Sequence, residues 1–318
     1  MPGLDSGQRY ILTVTLNTTV DTMLRYRRVG GSCRFEKETR VAGGKGLNVS
    51  RALRRLGRAS LAAGIVGGCT GRDIEQLLRR EGLRYRFYRN DAESRQNLIL
   101  CLPELSPANR VFRQTPSISG HGYREFRGLY RDALHRADMA VLSGSVLDGL
   151  PPAVYADLIR DARRRKIPVL LDASGTPLRE GLRARPTFIK PNLTEIQHAT
   201  GIRVRTLNDA VKAAASLRRM DLPNIYLSLG ERGAIGCNHN ELWYAKAPKV
   251  AVRNTVGCGD AFVAAVCAAH LDKLSLSVAL SLAVAAGTVS ATNFVPGLVD
   301  PTAVRDMAAR IKLRKLPL

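Results

Sequence analysis

The sequence predicts an α/β protein in three layers, with a mostly parallel central sheet covered by helices on both faces and a small inserted sheet. Three observations carry this prediction. Short, continuously apolar runs recur along the chain, amphipathic helical stretches separate them, and two segments break the rhythm with short alternating runs. The opening strand is Tyr10-Ile11-Leu12-Thr13-Val14-Thr15-Leu16, β-branched and apolar on both faces. Gly43-Gly44-Lys45-Gly46 then leads into a helix whose Val49, Ala52, Leu53 and Leu56 follow the i, i+3, i+4, i+7 spacing, with Gly57 as its C′ stop. Further buried strands are expected at 60–64, 139–142, 169–171, 188–189 and 225–228, and helices at 152–165 and 207–219. The stretches 261–270, 276–291 and 302–314 read as helix throughout. The irregular segments, about 22–41 and 85–115, hold Tyr85-Arg86-Phe87-Tyr88, Asn97-Leu98-Ile99-Leu100-Cys101-Leu102 and Arg110-Val111-Phe112. They predict a small antiparallel sheet inserted into one domain spanning 1–318, placed to act as a lid.

Composition narrows the function classes. The 45% apolar and 24% charged content of these 318 residues is that of a soluble globular protein. No run of about 18 uncharged apolar residues is present, so no membrane span is expected. The first residues lack the basic and apolar regions of a secretory signal, and a cytoplasmic protein is expected. The six cysteines form no C-x-x-C pair and read as small hydrophobes in a reducing compartment rather than as zinc ligands. The net charge of +22 is spread over many helices: Arg51, Arg54, Arg55 and Arg58 on one, Arg163, Arg164, Arg165 and Lys166 on another. These read as solvated faces. No basic block is interleaved with aromatics, so no nucleic-acid partner is expected, although a positive field draws in small anions.

Four segments carry chemistry. In Asn254-Thr255-Val256-Gly257-Cys258-Gly259-Asp260-Ala261-Phe262, two glycines let backbone N–H groups converge where an apolar helix begins. Unpaired N–H groups and the positive helix end bind an anion there, and Asp260 can accept a proton beside it. The competing reading makes Asp260 a helix cap. Ala42-Gly43-Gly44-Lys45-Gly46-Leu47-Asn48 has neither Walker A nor dinucleotide-fold spacing. Its glycines admit a ligand to the backbone, with Lys45 and Asn48 as donors, or make a plain turn. In Lys190-Pro191-Asn192-Leu193-Thr194-Glu195, Asn192 and Glu195 either face a hydrated Mg²⁺ or form an N-cap box. Leu227-Ser228-Leu229-Gly230-Glu231-Arg232-Gly233 turns through two glycines at a strand's carboxyl end, where α/β folds place ligands.

In this order, the segments resemble the phosphofructokinase B branch of the ribokinase-like carbohydrate kinases over about residues 9–312. Thr15-Leu16-Asn17-Thr18-Thr19-Val20-Asp21 resembles the branch's T-L-N-P-A-x-D segment, and Ser94-Arg95-Gln96-Asn97 its T-R-x-N strand. Leu142-Ser143-Gly144-Ser145 resembles S-G-S-L-P, Lys190 to Glu195 matches K-P-N-x-x-E, and 254–260 matches the second signature. The resemblance implies a ribokinase-like fold and ATP-dependent phosphorylation of a ketohexose phosphate, with Mg²⁺ as cofactor. Fructose 1-phosphate comes first as substrate, with tagatose 6-phosphate or fructose 6-phosphate as alternatives and a catalytically weak sugar-phosphate sensor as a rival class. It further implies that Asp260 is the base and that Gly257, Cys258 and Gly259 form the anion hole. Asp21, Gly43, Gly44, Asn48, Asn97 and Ser145 would bind the sugar, and Lys45, Arg95 and Arg110 its phosphate. Lys190, Asn192, Ser228, Gly230, Gly233, Thr255 and Gly257 would bind the nucleotide, with Asn192 and Glu195 meeting the metal through water. A homodimer through the lid sheet is likewise implied. The sequence departs from the branch at Thr18, at Val146-Leu147-Asp148-Gly149, and at Cys258 and Ala261 beside Asp260.

Overall fold

Every residue of the first apolar run is buried, and in the computed structural model it becomes a strand deep within a ten-stranded sheet. The structure describes residues 7–30, 32–101, 109–112 and 115–318; for 28, 33, 101 and 109–112 only the backbone is described. In chain order the strands are β1 (Tyr10–Thr15), β2 (Thr19–Val29), β3 (Ser32–Gly43), β4 (Ser60–Gly67), β5 (Tyr85–Asn90), β6 (Arg95–Cys101) and β7 (Asn109–Phe112). After these come β8 (Ala137–Ser143), β9 (Val169–Asp172), β10 (Phe188–Ile189), β11 (Asn224–Ser228), β12 (Ala234–Cys237), β13 (Leu242–Ala245) and β14 (Leu313–Leu316). The helices are α1 (Lys45–Arg55), α2 (Gly68–Arg80), α3 (Gly120–Ala133), α4 (Val154–Arg164) and α5 (Gly175–Arg183). The rest are α6 (Leu193–Thr200), α7 (Leu207–Arg218), α8 (Cys258–Leu271), α9 (Leu276–Ala291) and α10 (Pro301–Arg310).

The large sheet runs β14-β13-β12-β11-β10-β9-β8-β1-β4-β5. From β11 to β5 every pairing is parallel, and β12, β13 and β14 add antiparallel strands at one edge. Successive side chains of a strand point to opposite faces, so each apolar strand feeds two cores. Leu12, Val14, Ala140, Leu142 and Leu171 face α3 to α7, while Ile11, Met139, Val141 and Leu170 face α1, α8, α9 and α10. Three layers result, as the apolar runs predict. Gly57, at φ 74°, ends α1 in the left-handed conformation expected of a C′ glycine.

The four-stranded small sheet has the order β3-β2-β6-β7. β2 pairs antiparallel with β3 and parallel with β6, so the sheet is mixed rather than antiparallel. Tyr85-Arg86-Phe87-Tyr88, expected within it, instead forms β5 at the edge of the large sheet, parallel to β4. An edge strand with one wet face alternates just as an insert does, so the pattern did not separate the two. The expected helix at 302–314 stops at Arg310, and Leu313–Leu316 pairs with β13. That pairing joins segments some 70 residues apart and leaves no local trace.

One face of the small sheet packs Met23, Val41 and Ile99 against Val256, Phe294 and Val295. The guanidinium groups of Arg25 and Arg253 lie 5.1 and 5.5 Å from the centroid of the Phe294 ring. The small sheet is thereby tied to the loop that leads into α8 and to the one that follows α9.

Candidate active site

The carboxyl ends of β1, β8, β9, β10 and β11, the start of α8 and the rim of the small sheet meet at one place. At its floor stands Asp260, buried in the first turn of α8. The first α-helical hydrogen bond of α8 runs from Ala261 N–H to Gly257 C=O at 2.9 Å. The N–H groups of Cys258, Gly259 and Asp260 therefore have no acceptor inside the helix. Gly257 caps the helix at φ 82°, and a Cβ there would stand 2.4 Å from the backbone nitrogen of Gly297. The loop before it is held by Asn254, whose Oδ1 accepts from Val256 N–H at 2.9 Å and whose Nδ2 donates to Phe294 C=O at 2.7 Å. Burial pushes the Cys258 thiol up to about 11, so it stays protonated and contributes its backbone N–H.

Asp260 accepts a 2.8 Å hydrogen bond from Asn48 Nδ2. Burial pushes its carboxyl up to about 6; Lys45, the Asn48 bond and Lys190 pull it back, and Asp172 pushes it further up. A group of that affinity is ionised at neutral pH and still basic enough to take a proton.

On one side of Asp260 is a cluster of four charges. Lys45 Nζ lies 3.1 Å from Asp172 Oδ1 and 3.9 Å from Glu195, and Lys190 Nζ lies 3.3 Å from the same Asp172 oxygen. Burial opposes the Lys45 charge, but Asp172, Glu195 and Asp260 raise its pKa overall; despite burial, Lys190 and Lys45 lower that of Asp172. Lys190 reaches the start of α8, since a Cβ on Gly259 would sit 3.4 Å from its Nζ. Lys45, expected beside the sugar phosphate, thus belongs with the helix start and the acidic pair rather than with Arg95. Of the two readings of Asn192 and Glu195, the N-cap box is the one seen here. The capping box is formed, with Asn192 Oδ1 accepting from Thr194 and Glu195 N–H and Glu195 Oε2 accepting from Asn192 N–H. The other Glu195 oxygen still faces Lys45, and burial raises this carboxyl's pKa.

On the other side the strand register assembles a second cluster. Asp21 pairs with Asn97 across β2 and β6, and Thr19 pairs with Arg95 on one side and Gly43 on the other. Asp21 Oδ1 accepts from Thr19 Oγ1 and Asn97 Nδ2, both at 2.6 Å, and Arg95, half-buried, feels the Asp21 charge. A Cβ on Gly43 would fall 2.3 Å from the Asp21 carboxyl, so glycine is required for this strand to pass. Asn17 Nδ2 donates to Ser145 Oγ at 3.2 Å. The Oδ1 atoms of Asn17 and Asn97 are buried without a protein partner among the described residues, and a buried amide oxygen so placed fits a ligand hydroxyl. Arg110 is on β7 opposite Ile99, and its side chain is outside the described residues.

Ser228 ends β11, its N–H bonded to Pro191 C=O at 3.0 Å. Gly230 (φ 63°) and Gly233 (φ 102°) form the turn beyond it, and Thr255 is exposed at the rim. The Ser228 bond sets the start of this turn beside Pro191, between Lys190 and Asn192 in the chain.

Sequence reasoning missed Asp172, Asn17 and Arg51. Asp172 closes the apolar strand Val-Leu-Leu-Asp at the sheet's ligand edge, which is the signal that would have marked it. Arg51, expected on a solvated face, is 5% exposed and bonded to Asn48.

Comparison with known proteins decides what this arrangement belongs to. Residues 14–303 match the model of the pfkB family of carbohydrate kinases. The chain belongs to that family. It is 32% identical over 308 residues to the 1-phosphofructokinase of Bacillus subtilis, covering 96% of this chain and all of that one. It is also 32% identical to the tagatose-6-phosphate kinase of Staphylococcus epidermidis, over 91% of this chain and 94% of that one. Phosphofructokinase-2 from Escherichia coli, solved in complex with potassium, superposes with a TM-score of 0.85 at 25% identity, over 95% of this chain and 99% of that one. As a pfkB carbohydrate kinase of ribokinase-like fold, the protein uses ATP to phosphorylate a sugar hydroxyl.

Proposed function

We propose that this kinase transfers the γ-phosphate of ATP to a hydroxyl of a ketohexose phosphate, with fructose 1-phosphate as preferred acceptor and fructose 1,6-bisphosphate as product. The observation that carries the reading is Asp260: a buried carboxylate, bonded to Asn48, at the unpaired start of α8 and beside the Lys45, Asp172 and Lys190 charges. Asp21, Asn97 and Asn17 take the sugar hydroxyls, and Arg95 with Arg110 takes the phosphate already on the sugar. Asp260 removes the proton from the attacking hydroxyl, the new oxygen–phosphorus bond forms, and the bond to the departing ADP oxygen breaks in line. The N–H groups of Cys258, Gly259 and Asp260, with Lys45 and Lys190 beside them, hold the charge on the moving phosphoryl group. Ser228, Gly230, Gly233 and Thr255 cradle the nucleotide.

The donor set fits Mg²⁺. Asp172 Oδ2 is buried without a partner among the described residues, and one Glu195 oxygen is left over from the capping box. Two hard carboxylates are what this ion takes when nucleotide phosphates and water complete its shell. Asp172 and Glu195 would hold the ion, Asn192 fixing Glu195 through the cap, and it would supply neutralisation of phosphate charge.

A coupled ADP-release assay with fructose 1-phosphate, fructose 6-phosphate, tagatose 6-phosphate, unphosphorylated sugars and nucleosides tests the assignment. The expected result is a clear preference for fructose 1-phosphate; the tagatose-6-phosphate kinase relative makes tagatose 6-phosphate its first rival. Turnover of unphosphorylated sugars alone would remove the role given to Arg95 and Arg110. No turnover at all would bring forward a sugar-phosphate sensor.

The small sheet is assigned as a lid over the sugar and as the contact of a homodimer. Val29 and Phe35, 43% and 53% exposed, put apolar area on it, and Phe35 packs edge-on against Tyr26. Light scattering should give twice the 34.7 kDa chain mass, and Phe35→Asp should return the single-chain mass. A monomer before substitution would dismiss the dimer.

A further inference from the structure

Arg51 has no place in the chemistry above, yet its buried guanidinium makes five hydrogen bonds beside the site. Nη1 donates to Asn48 Oδ1 at 2.7 Å and to Pro296 C=O at 2.9 Å. Nη2 donates to Ala42 C=O at 2.7 Å and, at 2.9 Å, to Glu81, whose second oxygen accepts from Nε at 2.5 Å. One side chain therefore joins the glycine loop before α1, the amide that meets Asp260, the turn at 296–297 and the residue that ends α2.

Two of these bonds bear on the reaction. An amide has one acceptor oxygen and one donor nitrogen, so holding Asn48 Oδ1 on Arg51 leaves Nδ2 to face Asp260. Without the guanidinium, the amide is free to turn its oxygen toward the carboxylate. The Pro296 bond braces the turn behind the anion hole. A Cβ on Gly297 would lie 2.5 Å from Asn48 C=O, and one on Gly257 would lie 2.4 Å from Gly297 nitrogen. The three backbones are therefore stacked in contact.

We propose that Arg51 is a positioning residue for phosphoryl transfer: it locks the Asn48 amide donor-first onto Asp260 and holds the 296–297 turn against Gly257, with Glu81 as its outer anchor. The proposal rests on Asp260 being the base. Burial is not cheap for a guanidinium, and four acceptors around one side chain are more than a surface salt bridge requires. The groups that act on Asp260 are Lys45 and Asn48 from α1, Asp172 from the end of β9, Lys190 after β10 and Cys258 on its own helix. Replacing Arg51 leaves all of these in the chain. Losing the Asn48 donor removes a bond that favours the carboxylate, so the pH below which activity falls moves upward.

The test compares Arg51→Met, Glu81→Gln and Asp260→Asn in the full-length chain, measuring kcat, KM for both substrates and the pH profile of kcat/KM. Arg51→Met is expected to lower kcat about 10–100-fold, as for a displaced reactive group, with KM for ATP little changed and the acid limb at higher pH. Added guanidinium ion should restore part of kcat. Glu81→Gln, at a side chain 25% exposed, should move both quantities the same way by less. Arg51→Met with unaltered kcat and acid limb, beside an inactive Asp260→Asn, would overturn the positioning role alone. If Arg51→Met does not fold, Glu81→Gln decides, and no change in either quantity overturns the proposal. A fully active Asp260→Asn would instead sink the base assignment on which it rests.

Discussion

Asp260→Asn is expected to bind ATP and sugar phosphate as the unsubstituted chain does while turning over about 10²–10⁴-fold more slowly, the span of a lost general base. The amide keeps the shape and can still accept from Asn48, so the loss isolates the proton transfer. In the unsubstituted chain, kcat/KM should fall as pH drops through about 6, because that is where the buried carboxyl takes up its proton and stops acting as a base. The same burial has a stability consequence. The folded chain holds this proton more tightly than the unfolded one, so stability declines as pH rises from about 4, the ordinary carboxylate range, to about 6, and the deficit persists above. Asp260→Asn removes that deficit. Calorimetry should find the variant's advantage in melting temperature larger at pH 7 than at pH 4. Near-normal turnover, or a variant less stable at pH 7, would contradict the reading of Asp260 as a buried base held at a cost in stability.

Gly257→Ala should be nearly as damaging to turnover, by about 10²–10³-fold, the usual effect of displacing one donor of an anion hole. The residue sits at φ 82°, where a side chain costs about 1–2 kcal/mol by itself. Its added Cβ would also come within 2.4 Å of Gly297 nitrogen and 2.8 Å of the Pro296 carbonyl carbon and Cα. Those are backbone atoms braced by Arg51 and Asn48, so the helix start must shift instead. Gly57→Ala is the control: φ is 74°, and nothing lies within 4 Å of the new atom. It should lose stability comparable to the φ cost and keep kcat. Equal kcat losses in the two variants would mean that strain, not the geometry of the N–H groups, sets the effect.

The two sheets differ in how far they could be read from the sequence. Apolar runs such as Val169-Leu170-Leu171 and Ile225-Tyr226-Leu227 announce buried parallel strands because both faces must be apolar when helices cover both. β5 and β14 were misplaced because an edge strand buries one face or neither, and its partner is chosen by contacts distant in sequence. The glycine-rich start of α8, with Asp260 in its first turn, and the capping box were legible for a related reason. Each is a local device, set by residues within one turn.

The sequence by itself determined the layer order, the family and the place of Asp260 at a glycine-rich helix start, since these depend on periodicity and on short contiguous motifs. Tertiary structure alone decided which charges face one another. It turned Lys45 toward Asp172 and Glu195, paired Asp21 with Asn97 through strand register, and buried Arg51 between Asn48, Pro296 and Glu81. Each of these rests on separations of dozens to hundreds of residues being closed by the fold. A side chain's charge is written in the chain, but its partner, its burial and hence its proton affinity exist only once distant segments meet.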